Sequence, residues 1–231
     1  MRDRPWLRAV VLTTVALASG LVMSMPLALL SCGHLPLPFN ARLASEGIET
    51  LPVKGRAPKT GYSREAFGPL WADTDYNGCD TRNDMLRRDL VGIVLKPRTP
   101  GCVVLEGVLV DPYSGEKISF IKGESSDRIH IDHVVSLSNA WQTGMFQRGP
   151  EERRIFANDP LNLLAVQDRL NQQKSDGDAA TWLPPRKAYR CEFVARQIAV
   201  KAAYRLWLTP PEKQAMLRIL LNCPGQTLPA R

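Results

Sequence analysis

The chain has 231 residues, 44% of them hydrophobic and 23% charged, with a formal net charge of +7. That length holds one domain of ordinary size plus appendages, and the composition excludes an intrinsically disordered chain. The positive balance suits a polyanionic partner, either nucleic acid or an anionic membrane surface.

Arg2, Arg4 and Arg8 precede a mostly apolar stretch, residues 9–30, interrupted by Gly20, Ser24 and Pro26. Positive charge followed by an apolar run is the pattern of an export signal or a single membrane anchor. No Ala-x-Ala site follows it. Leu29-Leu30-Ser31-Cys32 resembles a bacterial lipobox, although Leu30 fits its position poorly. Residues 1–32 are therefore read as a signal peptide or a membrane or lipoprotein anchor. The protein is read as extracytoplasmic, secreted or held at a bacterial membrane by that segment alone. With Cys32 assigned to this region, Cys79, Cys102, Cys191 and Cys223 remain, an even set that suits an oxidising compartment. Three connectivities are open; Cys79–Cys102 and Cys191–Cys223 close the shortest loops and are favoured. No Cys-x-x-Cys occurs, which disfavours zinc.

Residues 33–60 carry scattered proline and glycine without a sustained period and read as a linker, leaving 61–231 as the folded domain. Asp73, Asp75, Asn77 and Gly78, with Asp84 at the twelfth place, approach a calcium-loop pattern. The competing reading is a polar turn that buttresses the active site, with Arg82 as a candidate phosphate contact. Residues 81–90 predict a short helix capped by Thr81 or Asn83. Residues 103–110 and 117–121 predict two strands joined by the turn Asp111-Pro112-Tyr113-Ser114-Gly115.

A third strand is expected over 129–135, short helices over 138–143 and 151–157, a brief strand over 161–166, and a helix over 167–174. Residues 191–208 form the longest helical pattern, with Phe193, Gln197, Val200, Tyr204 and Trp207 on one side. Thr209 before two prolines starts a last helix over 211–221. The class is α+β, a small antiparallel element packed with several helices. Arg186, Lys187, Arg190, Lys201 and Arg205 cluster around the long helix as candidate phosphate contacts that would not read bases.

The chemistry concentrates in His130-Ile131-Asp132-His133, Asn158-Asp159-Pro160-Leu161-Asn162-Leu163 and Asn171-Gln172-Gln173-Lys174. Hydrolysing a phosphodiester requires a base for water near neutral pH, for which histidine is best matched. Charge building on the phosphate must also be stabilised, which a hard divalent cation with oxygen ligands does directly. Asp132, His133 and Asn171 supply one carboxylate, one imidazole and one amide.

Asp-His, a later Asn and, nine residues on, Asn-x-x-Lys resemble the ββα-metal motif of HNH nucleases. From Trp71 to the C-terminus the chain is similar to the HNH family named after the GmrSD C-terminal domain, in particular its secreted bacterial members. The shared blocks are Asn-Gly-Cys-Asp-Thr-Arg-Asn-Asp (77–84), Ile-Asp-His-Val-Val (131–135), Asn-Asp-Pro-Leu-Asn-Leu (158–163) and Trp-Leu-Pro-Pro (182–185). This resemblance implies a ββα-metal core with an additional β-hairpin and C-terminal helices. It implies that His133 is the general base and that Asp132 and Asn171 hold one divalent cation. Asn162 would pin the loop between the two strands, and Lys174 would contact a phosphate. Asparagine at 171, where many such enzymes carry histidine, favours Mg²⁺, with Mn²⁺ or Ca²⁺ as alternatives, over zinc. Because adjacent strand residues face opposite ways, Asp132 and His133 share a site only if the strand bends or ends there. His130, on the Asp132 face, is a candidate further ligand.

The function expected is a metal-dependent endonuclease of low specificity, with DNA and/or RNA as substrate. Two readings compete with it. One is a catalytically inactive extracellular protein that binds nucleic acid or another polyanion. The other is a membrane-anchored structural protein that holds calcium in the aspartate-rich loop.

Overall fold

The computed structural model describes residues 42–99 and 101–230. The signal or anchor expected over 1–32 lies outside them. Part of the expected linker does not. Helix α1 (Ala44–Glu49) buries Ala44 and Ile48 and, with Leu51 just beyond it, joins the core formed with Phe193, Ile198 and Met216. Ala44, Ile48 and Leu51 recur at helical spacing. A run this short, among prolines and glycines, gives no sustained period, so the sequence pattern concealed it. Backbone bridges Leu43↔Thr227 and Val53↔Leu208 also tie this segment to the C-terminal region. The packed domain thus includes residues from 42 onward.

Helix α2 (Thr81–Asp89) starts at Asp80, whose side chain accepts from the Asn83 N–H; neither Thr81 nor Asn83 is the cap. Strand β1 (Leu90–Leu95) follows it without a break. No strand was expected there, because Gly92 at φ 61° interrupts the run and pairing with β2 is irregular between Val91 and Leu95. β1, β2 (Val104–Val110) and β3 (Lys117–Ile121) form an antiparallel sheet in that order. The β2–β3 turn is held by Asp111, whose Oδ2 accepts from the Ser114 N–H and hydroxyl at 2.7 and 2.6 Å. Gly115 closes it at φ 85°, where a Cβ would be strained.

The second sheet is a two-stranded antiparallel ribbon, β4 (Ile129–His133) with β5 (Leu163–Gln167), and α5 (Asp168–Lys174) begins directly after it. Side chains alternate across the ribbon. Ile129, Ile131, Leu163 and Ala165 pack with Leu86, Leu109 and Phe120 of α2 and the three-stranded sheet. Leu164 and Val166 share a cluster with Leu170 and Phe193 on the other side. Between the two strands the chain forms α3 (Leu137–Gln142), capped by the Ser136 hydroxyl, and α4 (Pro150–Asn158), with proline in its first turn.

α6 (Arg190–Ala203) and α7 (Pro210–Leu220) close the domain. Thr209 and Glu212 form a capping box at the start of α7. Lys201, expected among the surface cations, is instead fully buried, donating to Glu212 Oε2 at 2.9 Å and the Trp207 carbonyl at 3.1 Å. α6 buries residues around most of its circumference, so its periodicity could not mark Lys201 as interior. Both disulfides, Cys79–Cys102 and Cys191–Cys223, are formed, with Cα atoms 5.1 and 6.3 Å apart. They span 23 and 32 residues. Closing loops of that size in the unfolded chain stabilises a fold by about 3–4 kcal/mol each. The observed architecture is α+β, as the element pattern indicated.

Candidate active site

Asp132 and His133 are the last two residues of β4, and the chain bends away after them. The strand end resolves the demand set by alternation: neighbours that face opposite ways can still border one opening. A cleft of about 200 Å³ is lined by both, together with Asn171, Arg64, Ser136 and Asp176.

Asp132 is buried, and its two oxygens have different donors. Oδ2 accepts from the Tyr113 hydroxyl at 2.6 Å, and Oδ1 from the Lys174 ammonium at 2.9 Å. Tyr113 stands at the tip of the β2–β3 turn and is itself fully buried, so the hairpin reaches the site through one side chain. Burial pushes the Asp132 carboxyl above its usual range, while Lys174 and Tyr113 hold it down. Burial and the neighbouring Asp132 push the Tyr113 hydroxyl well above 10, which keeps it a donor.

Lys174 does not face the cleft as a phosphate contact would. Its ammonium is buried, and it donates to the His133 carbonyl at 2.8 Å as well as to Asp132. Spacing on α5 explains the pair of contacts. Asn171 and Lys174, one helical turn apart, lie over His130 and Asp132, two residues apart on one face of β4. The Asn171 amide nitrogen lies 3.3 Å from His130 Nδ1. That leaves Asn171 Oδ1 without a hydrogen bond among the described residues.

His133 lies 2.8 Å from the Ala157 carbonyl through Nε2. Ala157 belongs to the last turn of α4, whose carbonyls have no partner within the helix. A carbonyl only accepts, so Nε2 carries the proton and Nδ1 is the basic nitrogen. Burial lowers the His133 pKa to about 4, so the ring is neutral at physiological pH. The Trp71 ring lies nearly parallel to it, 6.5 Å away between centroids.

This shift has a measurable consequence for stability. Between about 4 and the usual value near 6.5 the unfolded chain binds more protons than the folded one. Stability therefore rises with pH through that window and is lost as pH falls towards 4. Urea unfolding in EDTA at about pH 7 and about pH 5 should show about 2 kcal/mol lost to this ring at the lower pH. Subtracting the same pair of measurements on His133→Gln removes the contributions of other groups, and a difference near zero would contradict the buried neutral imidazole.

Asn162 is fully buried and bridges the bend after β4. Its Oδ1 accepts from Val135 N at 2.9 Å, its Nδ2 donates to Val135 O at 3.2 Å, and its own carbonyl accepts from Val134 N at 2.8 Å. Arg82, a candidate phosphate contact, instead donates to the Ser126 and Ile129 carbonyls, both at 3.1 Å, and so braces the entry to β4. Arg88 and Asp89 brace β5 in the same way, through the Leu163 carbonyl and the Ala165 N–H. The carboxylates of Asp73 and Asp75 accept from the N–H groups of Asn77 and Gly78, and Asp75 also from the Asn77 amide. Among the described residues no group of three or more His, Cys, Asp or Glu side chains is placed to hold a metal.

Tyr113 and Arg64 had no role in the sequence reading. Tyr113 carried a faint signal, a large aromatic inside a turn of small and polar residues. Arg64 carried none, since it lies before every recognisable block.

β4, β5 and α5 thus form a strand–strand–helix unit that brings an acid, an imidazole and an amide to one cleft. Residues 80–219 match the family of GmrSD restriction endonucleases, C-terminal domain, and the chain belongs to that family. It is also similar to an uncharacterized secreted protein of Arthroderma benhamiae, 35% identical over 207 residues that cover 87% of this chain and 97% of that protein. No solved structure matches.

Proposed function

We propose that this protein is an exported, metal-dependent endonuclease of HNH type, hydrolysing phosphodiester bonds of DNA and/or RNA with little sequence preference. The observation that carries the reading is the meeting of Asp132, His133 and Asn171 at one cleft, on a β4–β5–α5 unit whose bend Asn162 secures. Membership of a restriction-endonuclease family supports it. Two disulfides and likeness to a secreted protein support export.

The donor set fits a hard divalent cation. Asp132 has a carboxylate whose oxygens accept one hydrogen bond each, and Asn171 has an amide oxygen with no hydrogen bond among the described residues. Two oxygen donors, with water and phosphate filling the other positions, are typical of Mg²⁺. Such an ion, when bound, neutralises charge on the phosphate and the leaving oxygen. His133 Nδ1 takes the proton from the attacking water, and the Ala157 carbonyl fixes the ring and its tautomer. Lys174 and Tyr113 orient Asp132, and Asn162 keeps His133 at the edge of the bend. His130, 3.3 Å from the Asn171 amide, steadies that amide and is a candidate further ligand.

The test uses the oxidised, purified protein with supercoiled plasmid and with RNA, in Mg²⁺, Mn²⁺ or EDTA. Cleavage is expected with the metals and should fall to background in EDTA. Binding without cleavage under every metal condition would reject the nuclease reading in favour of a polyanion-binding protein.

A further inference from the structure

With Lys174 buried against Asp132 and Lys59 paired with Asp176 at 2.9 Å, one cationic side chain lines the cleft among the described residues: Arg64. It is exposed, and its guanidinium makes no hydrogen bond or ion pair among those residues. The nearest opposing charge along the chain is the adjacent Glu65, which is fully exposed to solvent. Arg64 precedes residues 80–219, the part of the chain that matches the family.

Its backbone is held in place. Arg64 immediately precedes a single helical turn, Glu65–Phe67, and its carbonyl accepts from the Phe67 N–H at 3.1 Å. The Ser63 hydroxyl accepts from the Ala66 N–H at 3.2 Å. Phe67 is buried against Tyr62, Trp141 and Phe156. An aromatic anchor three residues away thus fixes the base of a long side chain whose head remains open to solvent. A guanidinium so placed offers a planar fork of donors matched to two phosphate oxygens.

We propose that Arg64 is the phosphodiester-binding residue of this cleft, gripping the non-bridging oxygens of the phosphate presented to Asp132, His133 and Asn171. This rests on the nuclease reading for its catalytic consequence. Its binding consequence stands independently of it. A counter-charge from the N-terminal segment lets α5 use its lysine inside the fold, where Lys174 orients the acid.

Arg64→Ala and Arg64→Lys test the assignment, with His133→Ala beside them. Arg64→Ala should lower kcat/KM about 10- to 100-fold, with a nearly unchanged melting temperature, because the side chain is exposed and makes no hydrogen bond or ion pair among the described residues. Binding of a single-stranded oligonucleotide, followed by fluorescence anisotropy in EDTA over a range of salt, should lose about 0.7 from the slope of log affinity against log salt. Arg64→Lys should restore the slope but only part of the rate, since a point charge replaces a fork. Cleavage within about threefold of wild type in Arg64→Ala, or a slope unchanged by the substitution, or no salt-dependent binding, would overturn the proposal. If neither wild type nor His133→Ala cleaves, the nuclease reading fails while the slope still decides the role of Arg64.

Discussion

Replacing His133 by alanine is expected to reduce metal-dependent cleavage by about 10²–10⁴-fold, the usual contribution of a positioned general base. The effect should fall on kcat and leave affinity for the nucleic acid nearly unchanged. His133 is neutral and buried, so its loss removes no surface charge that phosphate would feel. The substitution also frees the Ala157 carbonyl at the end of α4 and leaves a small cavity, a cost of about 1–3 kcal/mol in stability. Circular dichroism and a urea titration separate that cost from the chemical one. Added imidazole should restore part of the activity if the cavity admits it. Undiminished cleavage by a folded His133→Ala would remove this residue as the base.

The second large effect concerns Lys174, and it is an effect on folding. Lys174→Met leaves the Asp132 carboxylate buried with one of its two donors gone. Breaking one side of a buried ion pair costs about 3–5 kcal/mol, whereas replacing both partners together is often far milder. Lys174→Met should therefore be strongly destabilised by urea unfolding, and adding Asp132→Asn should recover a substantial part of the loss. The double variant should remain inactive, because an amide at 132 is a poorer ligand for a cation than a carboxylate. The alternative, a lysine on the phosphate, makes the opposite prediction: Lys174→Met would keep its stability and lose salt-dependent affinity. A loss of stability below about 1 kcal/mol would favour that alternative.

The two experiments mark where local pattern served and where it stopped. The hairpin, the ribbon strands, the helix after β5 and the start of α7 were all visible because turn residues, alternation and caps act over a few residues. Strand β1 was not, since Gly92 breaks its pattern and its exposed Val91 and Val94 lie at a sheet edge with irregular pairing. Helix α1 was not, since six residues are too few for a period to declare itself. Neither could form alone; each is stabilised by what it packs against.

At the site the same division holds. Asp132, His133, Asn162, Asn171 and Lys174 could be singled out because they stand in ordered blocks of residues that resemble a nuclease family. The direction in which each side chain points could not. Tyr113 and Lys174 converge on Asp132 from 19 and 42 residues away in the chain. Arg64 reaches the cleft rim from a segment that carries no motif.

Residue type and spacing were thus sufficient for the class of fold, and ordered blocks were sufficient to single out Asp132, His133 and Asn171 as candidates. Which cation orients the acid and which one stands open to a phosphate was decided only by packing. Charge placement depends on burial, and burial is a property of segments far apart in sequence that come together only in the folded chain.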